Sequence, residues 1–414
     1  MKNKLRWLYP GIGIKRWVFL CCLGILLMAI SSASLVKSPG WEQRIYPLVG
    51  LILGTLIIFI GMKEMFTSVV NTLHPQRSKD LVEIFLEKKM LGKGPNIVAV
   101  GGGTGLSTLL QGLKKITTNT TAIVTVADDG GSSGRLRKEF DTLPPGDIRN
   151  CLVALADAEP LMRELFQYRF KGEGELKGHN FGNLFITALT QITGDFEKAI
   201  KESSKVLAIK GRVVPATVEK VKLVAEHVDG RKTIGESKIP EVRTKIARVY
   251  LDPQSCKPCY EAVEAISSAD AIVLGPGSLY TSILPNLLVP GILNAILNSS
   301  GIKIYVCNIM TECGETDNYK ASDHVQALID HTSPQILDYC IINSSFIPDE
   351  LLRKYREEFA SPVEPDAYNI EKMGYKCIVR DLARLGDVVR HDPDKLANLI
   401  LEIIGKEKGK GRWI

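Results

Sequence analysis

Asn96-Ile-Val-Ala-Val-Gly-Gly-Gly-Thr-Gly-Leu-Ser-Thr-Leu-Leu, residues 96–110, is the stretch on which the fold turns. Its first half is a short apolar run rich in β-branched residues, the pattern of a buried strand. The glycines stop that strand, and Leu106, Leu109 and Leu110 then recur at helical spacing. A strand passing through glycines into an amphipathic helix is the opening unit of a nucleotide-binding α/β sheet. Gly101, Gly102, Gly103 and Gly105 permit close backbone approach, while Thr104, Ser107 and the helix-start amides offer donors to an anion. A plain tight turn does not require so many glycines.

The neighbouring sequence repeats the theme. Apolar runs at residues 97–100, 122–126, 271–274, 302–306 and 339–342 alternate with helical stretches. This predicts an α/β fold, a Rossmann-like, largely parallel sheet with helices on both faces. Glycine-rich turns follow Val100, Val126 and Leu274. Ligands bind outside the carboxyl ends of such strands, so these three loops are expected to line one crevice. Residues 212–253 show only partial alternation and read as a small β-rich insertion. Asp392 can cap and Pro393 can open a last helix to about Ile404, leaving residues 405–414 as a basic tail.

The ligand class is narrowed by what is missing. There is no G-x-x-x-x-G-K-[ST], and Leu106 spoils the dinucleotide fingerprint, which weakens both a P-loop NTPase and an NAD-dependent oxidoreductase. In Thr125-Val-Ala-Asp-Asp-Gly-Gly-Ser-Ser-Gly-Arg-Leu-Arg, Asp128 stands where a ribose would be held. Asp128 and Asp129 equally suit a divalent ion such as Mg²⁺ on phosphates, or an Asx turn with two caps. Arg135 and Arg137 could complete an anion clamp or lie on a solvated helix face. Asp147 and Arg149 follow a rigid Leu143-Pro-Pro-Gly turn, and His179, Asn180 and Asn183 open a helix. His179 has no partner of the kind a general base needs and reads first as a hydrogen-bonding or capping residue. The asparagines suit a base, ribose or substrate oxygens. Leu274-Gly-Pro-Gly-Ser-Leu-Tyr-Thr-Ser supplies a second cradle at Gly277 and Ser278, and Asn308, Thr311 and Glu315 form another polar loop. No G-x-S-x-G, H-E-x-x-H or Ser/His/Asp set is assignable, so the catalytic residues stay unknown.

Ahead of this domain, residues 17–36 and 45–62 are two uncharged apolar runs, each near the roughly 20 residues that cross a bilayer. Lys15 and Arg16 precede the first and Lys63 follows the second, so both ends are expected in the cytoplasm around a short loop with Pro39 and Gly40. A cleavable signal peptide, suggested by Ala33 among serines, is countered by the second run. The expected organisation is a transmembrane hairpin at 1–62, a juxtamembrane linker at 63–95 with an apolar stripe at Leu81, Ile84, Phe85 and Leu86, and the nucleotide-binding domain at 96–404. The net charge of +6 is modest and its clusters sit at the chain ends, which disfavours nucleic acid. Nine cysteines without a repeating spacing do not form a disulfide framework, and Cys256-Lys-Pro-Cys259 reads as incidental thiols rather than a redox or zinc pair.

Together the motifs GGGTGLSTLL, ADDGGSSGRLR, LPPGDIRN, GHNFGNL, GPGSLYTSILPNL and NIMTECGETDNY, all in order, resemble the bacterial gluconeogenesis factor family over residues 96–404. That family is similar to 2-phospho-L-lactate transferase, which moves a phospholactyl group from a guanylate donor to a deazaflavin. The resemblance implies nucleotide and phosphate handling and binding of UDP-sugars, notably UDP-N-acetylglucosamine. It also implies a role in cell shape and in growth on gluconeogenic carbon, with no established reaction. Members without a hairpin are cytoplasmic. By motif it places nucleotide contacts at residues 101–105, Asp128, Asn180, Gly277 and Ser278, and UDP-sugar contacts at Tyr355 and Arg390. Two readings follow: a UDP-sugar sensor at the membrane, or a Mg-dependent transferase using Asp128 or Asp129. Exposed threonines are candidate targets of a serine/threonine kinase, and a homo-oligomer is left open.

Overall fold

The structure is a computed structural model and describes residues 14–37, 40–73 and 90–409. The apolar stripe at 81–86, Pro39 and the last five residues of the basic tail lie outside these. The chain divides into two compact units, Met1–Lys89 and Met90–Ile414.

In the first unit, helices Ile14–Lys37 and Trp41–Leu73 pack as an antiparallel pair. Ser31 faces Gly50, Met28 faces Gly54 and Cys21 faces Gly61. Small residues at these crossings let two helix backbones approach closely, the usual way helices associate in lipid. Phe19, Ile25, Leu26, Ile52 and Phe59 point outward and are exposed. Segments Lys15–Lys37 and Trp41–Ser68 are each long and apolar enough to cross a membrane.

The second unit is built on a seven-stranded sheet: β1 Ile97–Gly101, β2 Thr120–Val124, β3 Arg212–Pro215, β7 Ala271–Leu274, β8 Ile302–Val306, β9 Tyr339–Asn343 and β10 Lys376–Arg380. Their order is β10-β9-β8-β7-β1-β2-β3, and every pairing is parallel. All residues of β1, β2, β7 and β9 are buried. That is why these strands read as continuous apolar runs: helices cover both faces of a parallel sheet. The sheet grows in one direction from β1 through β2 to β3, and in the other from β7 to β10. The order therefore reverses between β1 and β7, the position at which open α/β sheets leave a crevice.

Three boundaries differ from the sequence reading. Strand β2 begins at Thr120 and ends at Val124, because β-branched threonines fit a pleated surface; Val126 is buried in the following loop instead. Arg212–Pro215 pairs with β2 as an edge strand of the main sheet, where Pro215 can omit its N–H. The separate antiparallel sheet thus starts only at β4, Lys222–His227, with β5 Lys232–Ile234 and β6 Ile246–Asp252. The final helix spans Pro393–Lys408, four residues beyond Ile404, with Asp392 accepting from the Asp394 and Lys395 amides as its cap.

Candidate functional site

Two glycine turns meet at the β1/β7 reversal. The first leaves β1 and enters the helix Gly103–Leu113, with Gly103 at φ 61 in the left-handed region. The second leaves β7 through residues 275–278. They touch so closely that a Cβ on Gly105 would lie 2.5 Å from the Pro276 carbonyl oxygen. Fully buried Asn286 ties them together, donating through Nδ2 to the carbonyls of Gly101 (3.0 Å) and Ser282 (2.7 Å). The Gly277 amide is held by Asn308 Oδ1 at 3.1 Å.

Above these turns opens a cleft of about 520 Å³, a size that suits a small ligand. Residues 102–105, Gly277 and Ser278 form one wall, and Tyr355, Arg390 and His391 form another. Tyr355 is fixed by accepting the Val389 amide on its Oη at 2.7 Å and packs against Ile309, Met310 and Ile347. Arg390 belongs to a hairpin of β11 Ala383–Leu385 and β12 Val389–His391, directly across from Arg384. Like charges opposed in this way repel. Among the described residues neither arginine is in an ion pair, and Asp387 lies in the turn that joins their two strands. Arg390 itself lines the cleft.

Behind and beside the turns stand carboxyl groups. Asp147 sits under Gly102 and accepts from the Gly103 amide; desolvation, reinforced by nearby Asp128, raises its pKa to about 7. Glu236, brought in by a short 3-10 turn of the β4–β6 subdomain, is raised to about 8 by desolvation and by Asp128, Asp147 and Asp129. Desolvation likewise raises Asp128 and Glu312. Asp128 Oδ1 accepts from the Gly130 amide at 2.9 Å, whereas Asp129 Oδ1 turns to the Ser237 amide at 2.9 Å. These two carboxylates close different turns. Among the described residues no three His, Cys, Asp or Glu side chains converge as metal ligands. A Mg²⁺ ion riding on phosphates needs only one or two protein carboxylates, and neither Asp128 nor Asp129 is among the residues that line the cleft.

The remaining sequence candidates lie elsewhere. Ser107 donates to the Gly103 carbonyl at 2.9 Å, back-bonding within its helix. Asn180 caps the helix Phe181–Thr193, accepting from the Asn183 amide at 3.2 Å and donating to the Gln167 carbonyl at 2.9 Å. Asn183 Oδ1 accepts from Arg149 at 3.1 Å. His179 Nδ1 lies 3.3 Å from Ser132 Oγ, and burial lowers its pKa. Arg135 and Arg137 donate to the backbone carbonyls of Lys177 and Val221. Asn180 and Asn183 thus belong to a polar cluster with Arg149, apart from the lining of the cleft. Cys256 and Cys259 are buried free thiols, and desolvation beside Glu197 pushes Cys259 up to about 12. Sequence reasoning missed Asn286, although a lone amide in an apolar helix is a signal; it also missed Glu236, for which no local signal exists, and His391.

A second cavity of about 730 Å³ adjoins the first, with Cys313 lining both. Tyr280, Tyr319, Glu315 and His331 line it, and Arg243 stacks 4.8 Å over Phe359 at its edge. Arg243, Asn318 and Phe359, all on its wall, hold φ of 50, 59 and 58. Such non-glycine strain gathers at functional sites.

With this geometry in view, comparison with known proteins is direct. The family model described as 2-phospho-L-lactate transferase CofD matches residues 97–383. A putative gluconeogenesis factor of Clostridium acetobutylicum is 42% identical over 416 residues, covering 97% of this chain and 92% of its own. The chain belongs to the gluconeogenesis factor family. The gluconeogenesis factor of Bacillus subtilis is 51% identical over 316 residues, 76% of this chain and 99% of its own. A crystal structure of a UPF0052 family protein from Bacillus halodurans, 51% identical, matches with a TM-score of 0.73 over 74% of this chain and 99% of that one. Within the gluconeogenesis factors, the Clostridium relative therefore aligns across nearly the whole chain, whereas the Bacillus relatives are spent on about three quarters of it.

Proposed function

We propose that this gluconeogenesis factor binds a UDP-sugar, with UDP-N-acetylglucosamine the first candidate. In this reading it acts as a regulatory protein in cell morphogenesis and growth on gluconeogenic carbon. The hairpin holds it in the membrane with its large domain on the cytoplasmic side. The observation that carries the reading is a cleft that has both glycine turns on one wall and Tyr355 with Arg390 on the other. Backbone amides at a helix start favour a diphosphate, and an arginine opposite them supplies the countercharge. The test is calorimetric titration of the full chain in detergent with UDP-N-acetylglucosamine, GDP and NADH, with and without Mg²⁺. Selective binding of the UDP-sugar, recovered unaltered, supports the reading; binding of GDP or NADH alone defeats it.

The second cavity favours one other reading. A group-transfer enzyme needs an acceptor pocket beside its nucleotide, and the family model carries a transferase's name. In that reading Asp128 would hold Mg²⁺, which supplies Lewis-acid stabilisation of the transferred group. Product formation that fails in Asp128→Asn would establish it.

A further inference from the structure

The second cavity, of about 730 Å³, is braced by two junctions. His331 Nε2 accepts from the Val249 amide at 3.0 Å and its Nδ1 donates to the Ala327 carbonyl at 2.7 Å, which fastens β6 to the helix Ala321–His331. Gly314 packs so closely on Pro240 that an added Cβ would lie 2.2 Å from the Pro240 carbonyl oxygen. One face of that helix lines the cavity, with Asp323, Gln326, Ala327 and Asp330 at helical spacing. The wall from the β4–β6 subdomain carries Arg243 and Lys245. Among the described residues none of these charged groups is in an ion pair. Asp323 Oδ2 accepts from the Lys320 amide at 2.8 Å and Asp330 Oδ1 from Gln326 Nε2 at 2.7 Å. Arg243 lies over the Phe359 ring, a contact that leaves the edge of its guanidinium fork open to an acid. Asp330 stands in the last turn of its helix, where the helix dipole opposes a carboxylate and favours a cation. Glu315 lines the same cavity and is 7% exposed. The Thr281 hydroxyl reaches its two oxygens at 3.0 and 3.2 Å, and no basic side chain among the described residues pairs with it. Burial, with Glu312 nearby, holds its carboxyl well above the usual range, as befits an acid group short of a cation.

We propose that this cavity binds an amphoteric small molecule, its ammonium group against Glu315, Asp323 and Asp330 and its carboxylate or phosphate against Arg243 and Lys245. Opposite charges set on separate walls cannot neutralise one another unless the walls move, and the His331 and Gly314 junctions hold them in place. A molecule with both charges satisfies both walls at once. A simple amine or a simple anion leaves one wall uncompensated. Tyr280 and Tyr319, whose hydroxyls lie 2.9 Å apart, add aromatic faces that attract an ammonium group. The volume lies within the range of roughly 300–1,000 Å³ common to small-molecule sites, with room for a body between the charged ends. The proposal goes beyond the UDP-sugar reading, which concerns the other cleft, and stands or falls separately from it.

The test is calorimetric titration of the full chain in detergent with O-phosphoethanolamine and γ-aminobutyrate, which join an ammonium group to a phosphate and to a carboxylate. Ethanolamine, inorganic phosphate and butyrate are the controls with a single charged group. At least one amphoteric probe should bind about tenfold more tightly than either of its halves, the worth of one added charge-assisted bond. The tighter of the two probes tells which acid group the Arg243 wall takes. Glu315→Gln keeps the size and removes the charge, and should weaken that probe about tenfold. Asp330→Asn and Arg243→Ala change exposed charges and should each weaken it about threefold. These two keep the test decisive if melting curves show Glu315→Gln to be unfolded. Three results would overturn the proposal: neither amphoteric probe binds; neither binds more tightly than its halves; or binding is unchanged in both Asp330→Asn and Arg243→Ala. Loss of binding in Arg390→Ala with both of those variants unaffected would assign the probe to the first cleft and overturn it too.

Discussion

Gly105→Ala tests whether the two glycine turns act as one device. The added methyl would stand 2.5 Å from the Pro276 carbonyl oxygen, 2.8 Å from its carbon and 2.9 Å from the Gly277 nitrogen. All three are backbone atoms of the opposite turn, so no side chain can rotate away, and the turns must separate by several tenths of an ångström. Overpacking of this kind costs about 1–3 kcal/mol of stability. In the proposed reading, separation would also move the amides of one turn off the diphosphate. Losing one charge-assisted bond costs about 1.5–3 kcal/mol, roughly a 10- to 150-fold loss of affinity. Gly405→Ala is the control: it sits in the last helix with open space around its Cβ position, and the change should stabilise by about 0.5–1 kcal/mol. Melting curves and calorimetry with UDP-N-acetylglucosamine report both effects. If Gly105→Ala melts and binds as wild type does, the turns are not mutually braced and the account of the cleft is wrong.

Arg390→Ala should weaken UDP-sugar binding at least tenfold with an unchanged melting temperature, since an exposed arginine facing Arg384 contributes nothing to the fold; equal loss of stability would refute this in calorimetry paired with melts. Asn286→Leu should destabilise by about 1–3 kcal/mol, measured by thermal unfolding, because two buried hydrogen bonds are lost, one to the Ser282 carbonyl and one to the Gly101 carbonyl, which keeps the Thr125 amide. Asp147 and Glu236 keep their protons in the folded state up to about pH 7 and 8, while the unfolded chain releases them near pH 4. The unfolded state therefore binds fewer protons across that window, and ligand-free stability should fall as pH rises from about 4 to 8. Asp147→Asn should flatten the part of that slope below pH 7 in melts taken at half-unit intervals. Because Asp147 holds the Gly103 amide, diphosphate binding nearby should draw in a proton at pH 7. Calorimetry in buffers of different ionisation enthalpy would detect the uptake.

Strands β1, β7, β8 and β9 were legible because a parallel sheet buried on both faces writes itself as apolar runs. Both glycine turns were legible for the same local reason. Strand β2 slipped because Thr120 and Thr121 are polar by composition yet extended by branching, and Arg212–Pro215 was grouped with its sequence neighbours although its hydrogen bonds go to β2. Polar residues at helix starts could not be sorted from sequence: Asn180 spends its side chain on a cap, and nothing local distinguishes that from a ligand contact. Glu236 and Asp128 are over a hundred residues apart, and their mutual influence exists only in the folded chain.

The cleft draws on Gly103 near the start of the domain, on Gly277 in its middle and on His391 close to its end. A polypeptide still being synthesised, or one clipped anywhere between, lacks a wall of the pocket. On the proposed function, ligand would bind only to finished molecules, shielding them from unfolding while giving no shelter to fragments. Any signal that depends on occupancy would then report the number of complete copies in the cell, as well as the supply of the ligand.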